Sequence, residues 1–159
     1  MKVLIVADTH GRDNNLLEAV KRERPIEKIV HLGDLNGLED YIEQITDCVC
    51  FAVRGNNDLG SPLPHENIIM IGNHRTFITH GHYYNVSCGV ADLIRHARSL
   101  ECDTVMYGHT HIPEIRKGDI TVINPGSLTY PRQAGHLPSY IVATIDEAGN
   151  AEYEIKYIQ

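Results

Sequence analysis

Apolar runs recur along the first third of the chain, and each ends at a block of polar residues and glycine. Val3–Ala7 ends at Asp8, Lys28–Leu32 ends at Gly33, and Cys48–Val53 ends shortly before Gly55. Runs of this kind are typical of strands buried on both faces of a sheet. The segments 16–22 and 38–45 between them carry apolar residues at helical spacing. The pattern predicts three β-loop-α units forming a parallel sheet with right-handed crossovers.

The second half of the chain has a different pattern, with short strands that follow one another closely. Strands over 67–71 and 75–79 turn at Gly72-Asn73, and strands over 140–145 and 153–158 turn at 147–150. A helix from Val86 or Ser87 to Ser99, a strand over 104–107 and a strand pair within 114–122 lie between these hairpins. We therefore predict one α/β domain over residues 1–159, with two packed sheets and helices outside.

Five polar blocks follow these strands, at the carboxyl ends where ligand sites of α/β sheets lie. They are Asp8-Thr9-His10, Gly33-Asp34, Gly55-Asn56-Asn57-Asp58, His80-Gly81-His82 and Gly108-His109-Thr110-His111. The Asp8/His10 and His109/His111 pairs each have a spacing of two, which at a strand end places both side chains on one side. The blocks therefore predict seven metal ligands that converge: Asp8, His10, Asp34, Asn56, His80, His109 and His111.

Seven side chains are too many for one ion other than calcium, and calcium prefers sites made only of oxygen. We therefore predict two divalent ions that share a carboxylate, with Asp34 as the bridging ligand. Nitrogen and oxygen ligands without thiolate suit manganese first, with nickel, cobalt, iron or zinc as alternatives, rather than magnesium. Two such ions serve hydrolysis at phosphorus especially well, so phosphate ester hydrolysis is the predicted chemistry.

Composition and charge restrict the classes of molecule that this protein is expected to bind. The formal net charge is -7 and Lys and Arg do not cluster, which disfavours extended nucleic acid. No apolar run approaches the ~18 residues that span a bilayer, so no membrane is expected. The opening MKVLIVAD is too short for a signal peptide, so we expect the protein to be located in the cytoplasm.

The four cysteines lack zinc-finger spacing and are expected to be buried, reduced thiols: Cys48, Cys50, Cys88 and Cys102. The oligomeric state is left open, with a homo-oligomer among the alternatives.

The ordered set Asp8-x-His10, Gly33-Asp34, Gly55-Asn56-x-Asp58, His80-Gly81 and Gly108-His109-x-His111 resembles the calcineurin-like metallophosphoesterase superfamily. The short chain and its Asn124–Ser127 segment resemble the small single-domain prokaryotic phosphodiesterase branch, which includes the retromer scaffold subunit of eukaryotes. The resemblance implies a four-layer α/β/β/α sandwich of two mixed sheets flanked by helices. It also implies a first metal on Asp8, His10, Asp34 and His111, and a second on Asp34, Asn56, His80 and His109.

The function expected from this resemblance is a phosphodiesterase that hydrolyses small or generic phosphate esters by a hydroxide bridging two metals. One alternative is a non-catalytic metal-binding scaffold of the retromer-subunit type, although that relative has lost metal ligands. Another is a structural domain stabilised by metal, which predicts closed coordination.

Asn57 is the position that departs from the larger members of the family, which have a histidine there. Asparagine donates hydrogen bonds but cannot act as a general acid. We expect Asn57 to bind substrate, and His82 or solvent to protonate the leaving group. Arg12 is a further candidate for binding substrate phosphate. Asp58 and Asn124–Ser127 are expected to shape turns, and the remaining histidines are expected to lie at the surface or to have satisfied hydrogen bonds: His31, His65, His74, His96 and His136.

Overall fold

Ten strands form two five-stranded sheets in the computed structural model, which describes residues 1–159. In chain order the strands are β1 (Lys2–Val6), β2 (Lys28–His31), β3 (Val49–Ala52), β4 (Glu66–Ile71), β5 (His74–Thr79), β6 (Thr104–Met106), β7 (Pro113–Arg116), β8 (Thr121–Pro125), β9 (Ser139–Ile145) and β10 (Ala151–Tyr157). The helices are α1 (Asn14–Glu23), α2 (Ile42–Thr46) and α3 (Ala91–Ser99).

Both sheets are mixed. The first has the order β10-β9-β1-β2-β3, in which β1, β2 and β3 are parallel and the final hairpin is antiparallel. The second has the order β4-β5-β6-β8-β7, in which β5, β6 and β8 are parallel and the two edge strands are antiparallel. The chain therefore returns to the first sheet after completing the second.

Strand β1 shows how the layers form. Its side chains alternate, so Val3 and Ile5 enter a buried cluster that includes Ile78 and Met106 of the second sheet. Leu4 and Val6 face the other way and pack with the apolar side of α1. Because both faces are covered, the strand is apolar throughout, as its sequence indicates.

The second sheet is covered in the same way on its outer face. Phe77 and Val105 pack against Leu93 and Ala97 of α3 in a third buried cluster. The order of layers is thus helix, sheet, sheet, helix, which confirms the predicted four-layer α/β/β/α sandwich.

Two predicted helices are shorter than the apolar pattern indicates. The segment 38–45 is broken at Tyr41, whose φ of -143° is not helical, so a 3₁₀ turn over Leu38–Asp40 precedes α2. Leu38 and Ile42 are buried in the same outer cluster from these two separate turns. The helix predicted from Val86 begins only at Ala91, because Gly89 has a φ of 129° that no helix accommodates.

Two smaller expectations also need correction. Asn124 and Pro125 belong to β8, so the turn predicted over 124–127 begins only at Gly126, whose φ is 75°. All four cysteines are free, but only Cys102 is buried and Cys88 is exposed. His31 is fully buried with both ring nitrogens hydrogen-bonded, in agreement with the expectation of satisfied hydrogen bonds.

None of the helices combines the length and the apolar character that crossing a membrane would require.

Candidate metal centre

The loops that follow β1, β2, β3, β5 and β6 bring all seven predicted ligands to one place. Asp8, Asp34 and Asn56 come from the first sheet, and the histidines at 80, 109 and 111 come from the second. Contacts of 3.2 Å between Asp8 Oδ1 and His111 Nε2, and of 3.4 Å between Asp34 Oδ2 and His80 Nε2, connect the two sheets. The site therefore lies between the sheets, at their shared edge.

The first group of ligand atoms comprises Asp8, His10 and His111. The Nε2 atoms of His10 and His111 lie 3.4 Å apart, and Asp8 Oδ1 lies 3.8 Å from the former and 3.2 Å from the latter. These atoms can all approach a single cation. The side chain of His10 is 18% exposed and that of Asp8 is fully buried, so the group opens to solvent on the His10 side.

The second group comprises Asn56, His80 and His109. Asn56 Oδ1 lies 3.0 Å from His80 Nε2 and 3.1 Å from His109 Nδ1, and these two nitrogens are 3.3 Å apart. His80 is fully buried, whereas Asn56 is exposed. This group is therefore also open on one side, unlike the closed coordination of a structural metal site.

The ligands converge through an unexpected backbone conformation. Asp8, His10, Asp34, His109 and His111 all have positive φ, between 48° and 71°. Such values are uncommon for residues with a Cβ. Ligands two residues apart therefore point to the same place because the backbone is left-handed there, and not because it is an extended strand end. The predicted convergence is present, but the geometry from which it was predicted is wrong.

Hydrogen bonds on the far side of three imidazoles orient their ring nitrogens. His80 Nδ1 donates to the Leu32 carbonyl at 2.7 Å, and His111 Nδ1 donates to the Tyr130 carbonyl at 2.7 Å. His10 Nδ1 lies 3.1 Å from Asn36 Oδ1. With Nδ1 protonated, each ring in its neutral form can present an Nε2 lone pair to a metal ion at the centre.

The buried carboxylate of Asp34 is held in the ionised state. Burial alone would raise the pKa of Asp34, but hydrogen bonds from His80 and from the main chain and side chain of Asn57 hold it well below its usual range. Burial likewise opposes a charge on His80, yet the carboxylates of Asp34 and Asp8 raise the pKa of that imidazole. The pocket thus favours positive charge at its centre.

One atom in particular indicates that a cation fits. Asp8 Oδ2 accepts a hydrogen bond from the His109 main chain at 3.0 Å, whereas Asp8 Oδ1 is buried without any hydrogen-bond partner. A buried carboxylate oxygen with no partner is costly. The atoms nearest Oδ1 are imidazole nitrogens, which in their neutral form can also donate lone pairs, so this set of residues fits a divalent cation.

Two carboxylates lie between the groups. Asp34 Oδ2 is 3.8 Å from His10 Nε2 and 3.4 Å from His80 Nε2, while Asp8 Oδ1 is 3.8 Å from each of these nitrogens. Either carboxylate can reach both groups by distance alone. The assignment of Asp34 as the bridge therefore stays a prediction.

The other predicted site residues lie around this centre. Asn57 donates hydrogen bonds to Asp34 from its main-chain N at 2.9 Å and from Nδ2 at 2.9 Å. The ring of His82 is 5.5 Å from that of His80, and its buried Nδ1 has no partner. The Arg12 guanidinium carbon lies 5.6 Å from the centre of the Tyr130 ring.

Asp58 and His31 support the centre through hydrogen bonds that were not predicted from the sequence. Asp58 accepts main-chain hydrogen bonds from Asp34, Asn36 and Gly55 at 2.7–2.8 Å, which confirms its turn-shaping role and extends it to two loops. His31 accepts from Gly33 N and contacts Thr9 Oγ1 at 2.9 Å, and burial lowers the pKa of His31 to about 3. The position of His31, two residues before Gly33, is a sequence signal that could have revealed its role. The carbonyl groups that bind the histidine ring nitrogens belong to the main chain and have no sequence signal.

Comparison with known proteins places the chain among related sequences. Residues 1–148 match the calcineurin-like phosphoesterase superfamily domain. A "probable metallophosphoesterase" of Mycoplasma genitalium is 32% identical over 164 aligned residues, covering 100% of this chain and 96% of the relative. Another from Bacillus subtilis is 30% identical over 169 aligned residues, covering 94% of each.

Solved structures share the fold. A predicted phosphoesterase of Streptococcus pneumoniae has a TM-score of 0.83 at 24% identity, covering 98% of this chain and 88% of its own. Wild-type Vps29 of Entamoeba histolytica, complexed with Zn²⁺, has a TM-score of 0.77 at 24% identity, covering 99% of both chains. On the sequence matches and the site geometry, the chain belongs to the calcineurin-like phosphoesterase superfamily, and its sequence relatives are named as probable metallophosphoesterases.

Proposed function

We propose that this protein is a phosphodiesterase that uses two divalent ions to hydrolyse small phosphate esters. The observation that carries the proposal is the pair of facing ligand groups, with the partnerless Asp8 Oδ1 between them. Bound there, two divalent ions would lower the pKa of a water molecule and neutralise charge on the phosphoryl oxygens. The exposed sides of the centre leave room for a substrate to reach it.

The proposed distribution of ligands follows the two groups. Asp8, His10 and His111 would hold the first ion and Asn56, His80 and His109 the second, with Asp34 between them. Support comes from the convergence of imidazole nitrogens within each group, with His10 Nε2 and His111 Nε2 3.4 Å apart and His80 Nε2 and His109 Nδ1 3.3 Å apart. Because no thiolate is present, manganese is the first candidate, followed by nickel, cobalt, iron and zinc.

Asn57 and His82 are proposed to act on the substrate side of the centre. Asn57 uses one hydrogen of its amide on Asp34 and has a second for a substrate oxygen. Burial lowers the pKa of His82 to about 4, so its ring is neutral near pH 7 and is a poor general acid there. We therefore propose that His82 contributes a hydrogen bond, and that solvent protonates the leaving group.

The His82 proposal predicts a modest kinetic effect. In the His82→Ala variant, kcat/KM for bis-p-nitrophenyl phosphate should fall about fivefold, the cost of one hydrogen bond. Steady-state rates of p-nitrophenol release measure it. An unchanged rate would remove His82 from the site, while a loss above about a hundredfold would restore it as a general acid.

The central experiment uses protein stripped of metal and reloaded with Mn²⁺, Ni²⁺, Co²⁺, Zn²⁺ or Mg²⁺ singly. We expect turnover of bis-p-nitrophenyl phosphate in preference to p-nitrophenyl phosphate, with Mn²⁺ the most effective. Asp34→Asn should cost more activity than His10→Gln because it disturbs both ions, whereas the exposed Asp119→Asn should cost none. No turnover with any metal excludes the enzyme, and a preference for the monoester excludes the diesterase.

A second candidate is a non-catalytic metal-binding scaffold, which is favoured by the fold shared with Vps29. A wild-type protein that binds metal but hydrolyses no phosphate ester with any of the metals would support this scaffold. The presence of all seven ligands at one site argues for the enzyme instead. The cytoplasmic location and the homo-oligomer remain predictions.

A further inference from the structure

Two arginines of this chain differ from all the others. Every other arginine donates a hydrogen bond from its guanidinium to a carboxylate or a carbonyl: Arg22, Arg24, Arg54, Arg75, Arg95, Arg98 and Arg116. Arg12 and Arg132 are both exposed, and the guanidinium of neither one makes a hydrogen bond or an ion pair within the protein. These two side chains retain all their donors for another molecule.

Both arginines are placed beside the first group of metal ligands. Arg12 follows His10 by two residues, and its guanidinium lies 5.6 Å from the centre of the Tyr130 ring. That ring is itself 5.3 Å from the ring of His10. Arg132 follows Tyr130 by two residues, and its main-chain N donates to the His111 carbonyl at 3.0 Å. Tyr130 therefore lies next to Arg12 in space and to Arg132 in sequence.

The loop that carries Tyr130 and Arg132 is tied to the metal ligands. The Tyr130 carbonyl accepts from His111 Nδ1 at 2.7 Å, and the Tyr130 main-chain N donates to Ser127 Oγ at 2.8 Å. Ser127 Oγ in turn donates to the Asp8 carbonyl at 2.8 Å. The Tyr130 ring is thus held at a defined position, although it is 48% exposed.

The charge around the pair is unusual for this chain. The formal net charge is -7, yet the segment 120–145, which includes Arg132, contains neither Asp nor Glu. A guanidinium fork is suited to phosphate because it donates two parallel hydrogen bonds. Two such forks without carboxylate partners at the edge of a phosphoesterase site point to an anion beyond the one at the metals.

We propose that Arg12 and Arg132, together with Tyr130, form a subsite for a second phosphoryl group of the substrate. This inference rests on the proposed function and narrows it, from small phosphate esters in general to phosphodiesters that carry an additional phosphate. Divalent ions held by the seven ligands would neutralise the phosphate that is cleaved, which leaves the arginines for the other. Tyr130 is a positioning residue that acts through Arg12.

A matched pair of chromogenic diesters tests the subsite. Thymidine 5′-(p-nitrophenyl phosphate) has one phosphoryl group, and its 3′-phosphorylated derivative has two, with the same leaving group. We expect kcat/KM to be at least about tenfold higher for the derivative, the effect of one or more charge-assisted hydrogen bonds. The difference should arise mainly in KM.

Substitutions test which residues cause the preference for the diester with two phosphoryl groups. Arg12→Gln and Arg132→Gln should each lower the ratio of the two kcat/KM values, and the double variant should bring it to about one. Tyr130→Leu should lower the ratio because Arg12 loses the ring beneath it, while Tyr130→Phe should retain it. Arg95→Gln removes the same charge from the exposed face of α3 and should leave the ratio and the activity unchanged.

A binding measurement separates this inference from the proposed function. Calorimetry on Mn²⁺-loaded protein compares thymidine 3′,5′-bisphosphate with thymidine 5′-monophosphate, and the bisphosphate should bind more tightly only while both arginines are present. Equal affinities, equal kcat/KM values for the two diesters, or an equal fall of both rates in the double variant would overturn the subsite. If no diester is hydrolysed, the proposed function fails, and calorimetry alone decides the subsite.

Discussion

At the scale of the residue, the centre depends on ligands held in a backbone conformation that costs free energy. Left-handed conformations of residues with a Cβ cost of order 1–3 kcal/mol each. Here main-chain hydrogen bonds between loops maintain them, from Asp8 N to the Gly33 carbonyl at 3.0 Å and from His10 N to the Asp34 carbonyl at 2.9 Å. The identity of the ligands was predictable from sequence, but this conformation was not, because the hydrogen bonds that hold it join distant loops.

Gly55 gives a prediction at this scale. A Cβ at this position would overlap the carboxylate and main-chain N of Asp34, so Asp34 would have to move. We expect Gly55→Ala to destabilise the fold by about 1–3 kcal/mol and to weaken Mn²⁺ binding about tenfold or more. Urea unfolding and calorimetry measure the two effects.

The control for Gly55 is Gly118→Ala, since a Cβ at Gly118 meets only the Ile120 carbonyl at 3.5 Å. That variant should keep both stability and metal affinity. A Gly55→Ala protein with native affinity would show that Asp34 is not held against Gly55 as described.

At the scale of the element, a buried carboxylate fastens α1 to the first sheet. Glu23, in the last turn of α1, accepts hydrogen bonds from Tyr140 of β9 at 3.0 Å and from Lys156 of β10 at 3.1 Å, and Lys2 of β1 approaches at 3.4 Å. Glu23 is only 4% exposed. Periodicity places α1 in the sequence, but only the return of β9 and β10 beside β1 supplies these partners.

Glu23 predicts a dependence of stability on pH. Burial alone would raise its pKa, but hydrogen bonds from Lys156 and Tyr140 lower it below the ordinary value of 4.5. The carboxylate therefore stabilises the fold fully above that value, and its contribution is lost as the pH falls through the lowered pKa. We expect Glu23→Gln to cost about 2 kcal/mol at pH 7 and progressively less in acid.

Urea unfolding of both proteins from pH 7 down to pH 3 checks this expectation. Glu27→Gln is the control, because Glu27 is exposed and its side chain makes no hydrogen bond or ion pair. A difference between wild type and Glu23→Gln that stays constant with pH would contradict the lowered pKa.

At the scale of the whole molecule, the metal centre joins two sheets that otherwise meet through apolar packing. Val3 and Ile5 of the first sheet contribute to that core together with Ile78 and Met106 of the second. The ligands Asp8 and His111, which approach to 3.2 Å, belong to different sheets. A cation between them therefore binds the folded arrangement and not the unfolded chain.

We expect Mn²⁺ to raise the unfolding temperature in a saturable way. A concentration a hundred times the dissociation constant adds about 2.7 kcal/mol per site. Differential scanning calorimetry across a Mn²⁺ titration measures the shift. Asp8→Asn should remove most of it, whereas Asp119→Asn, which changes an exposed carboxylate, should not. An Asp8→Asn protein that retains the full shift would place the ions elsewhere.

The sequence by itself determined the strand and helix types, the two-sheet class and the seven residues that converge at the candidate centre, because apolar periodicity and polar blocks at strand ends are local properties. The ends of the helices were harder to predict from sequence, since Tyr41 and Gly89 interrupt segments whose apolar spacing continues. Only the tertiary structure decided that the last hairpin rejoins the first sheet and that carbonyls of Leu32 and Tyr130 orient the imidazoles. It also placed Arg12 on the Tyr130 ring. These features depend on contacts between residues far apart in the chain, which form only when both sheets have packed.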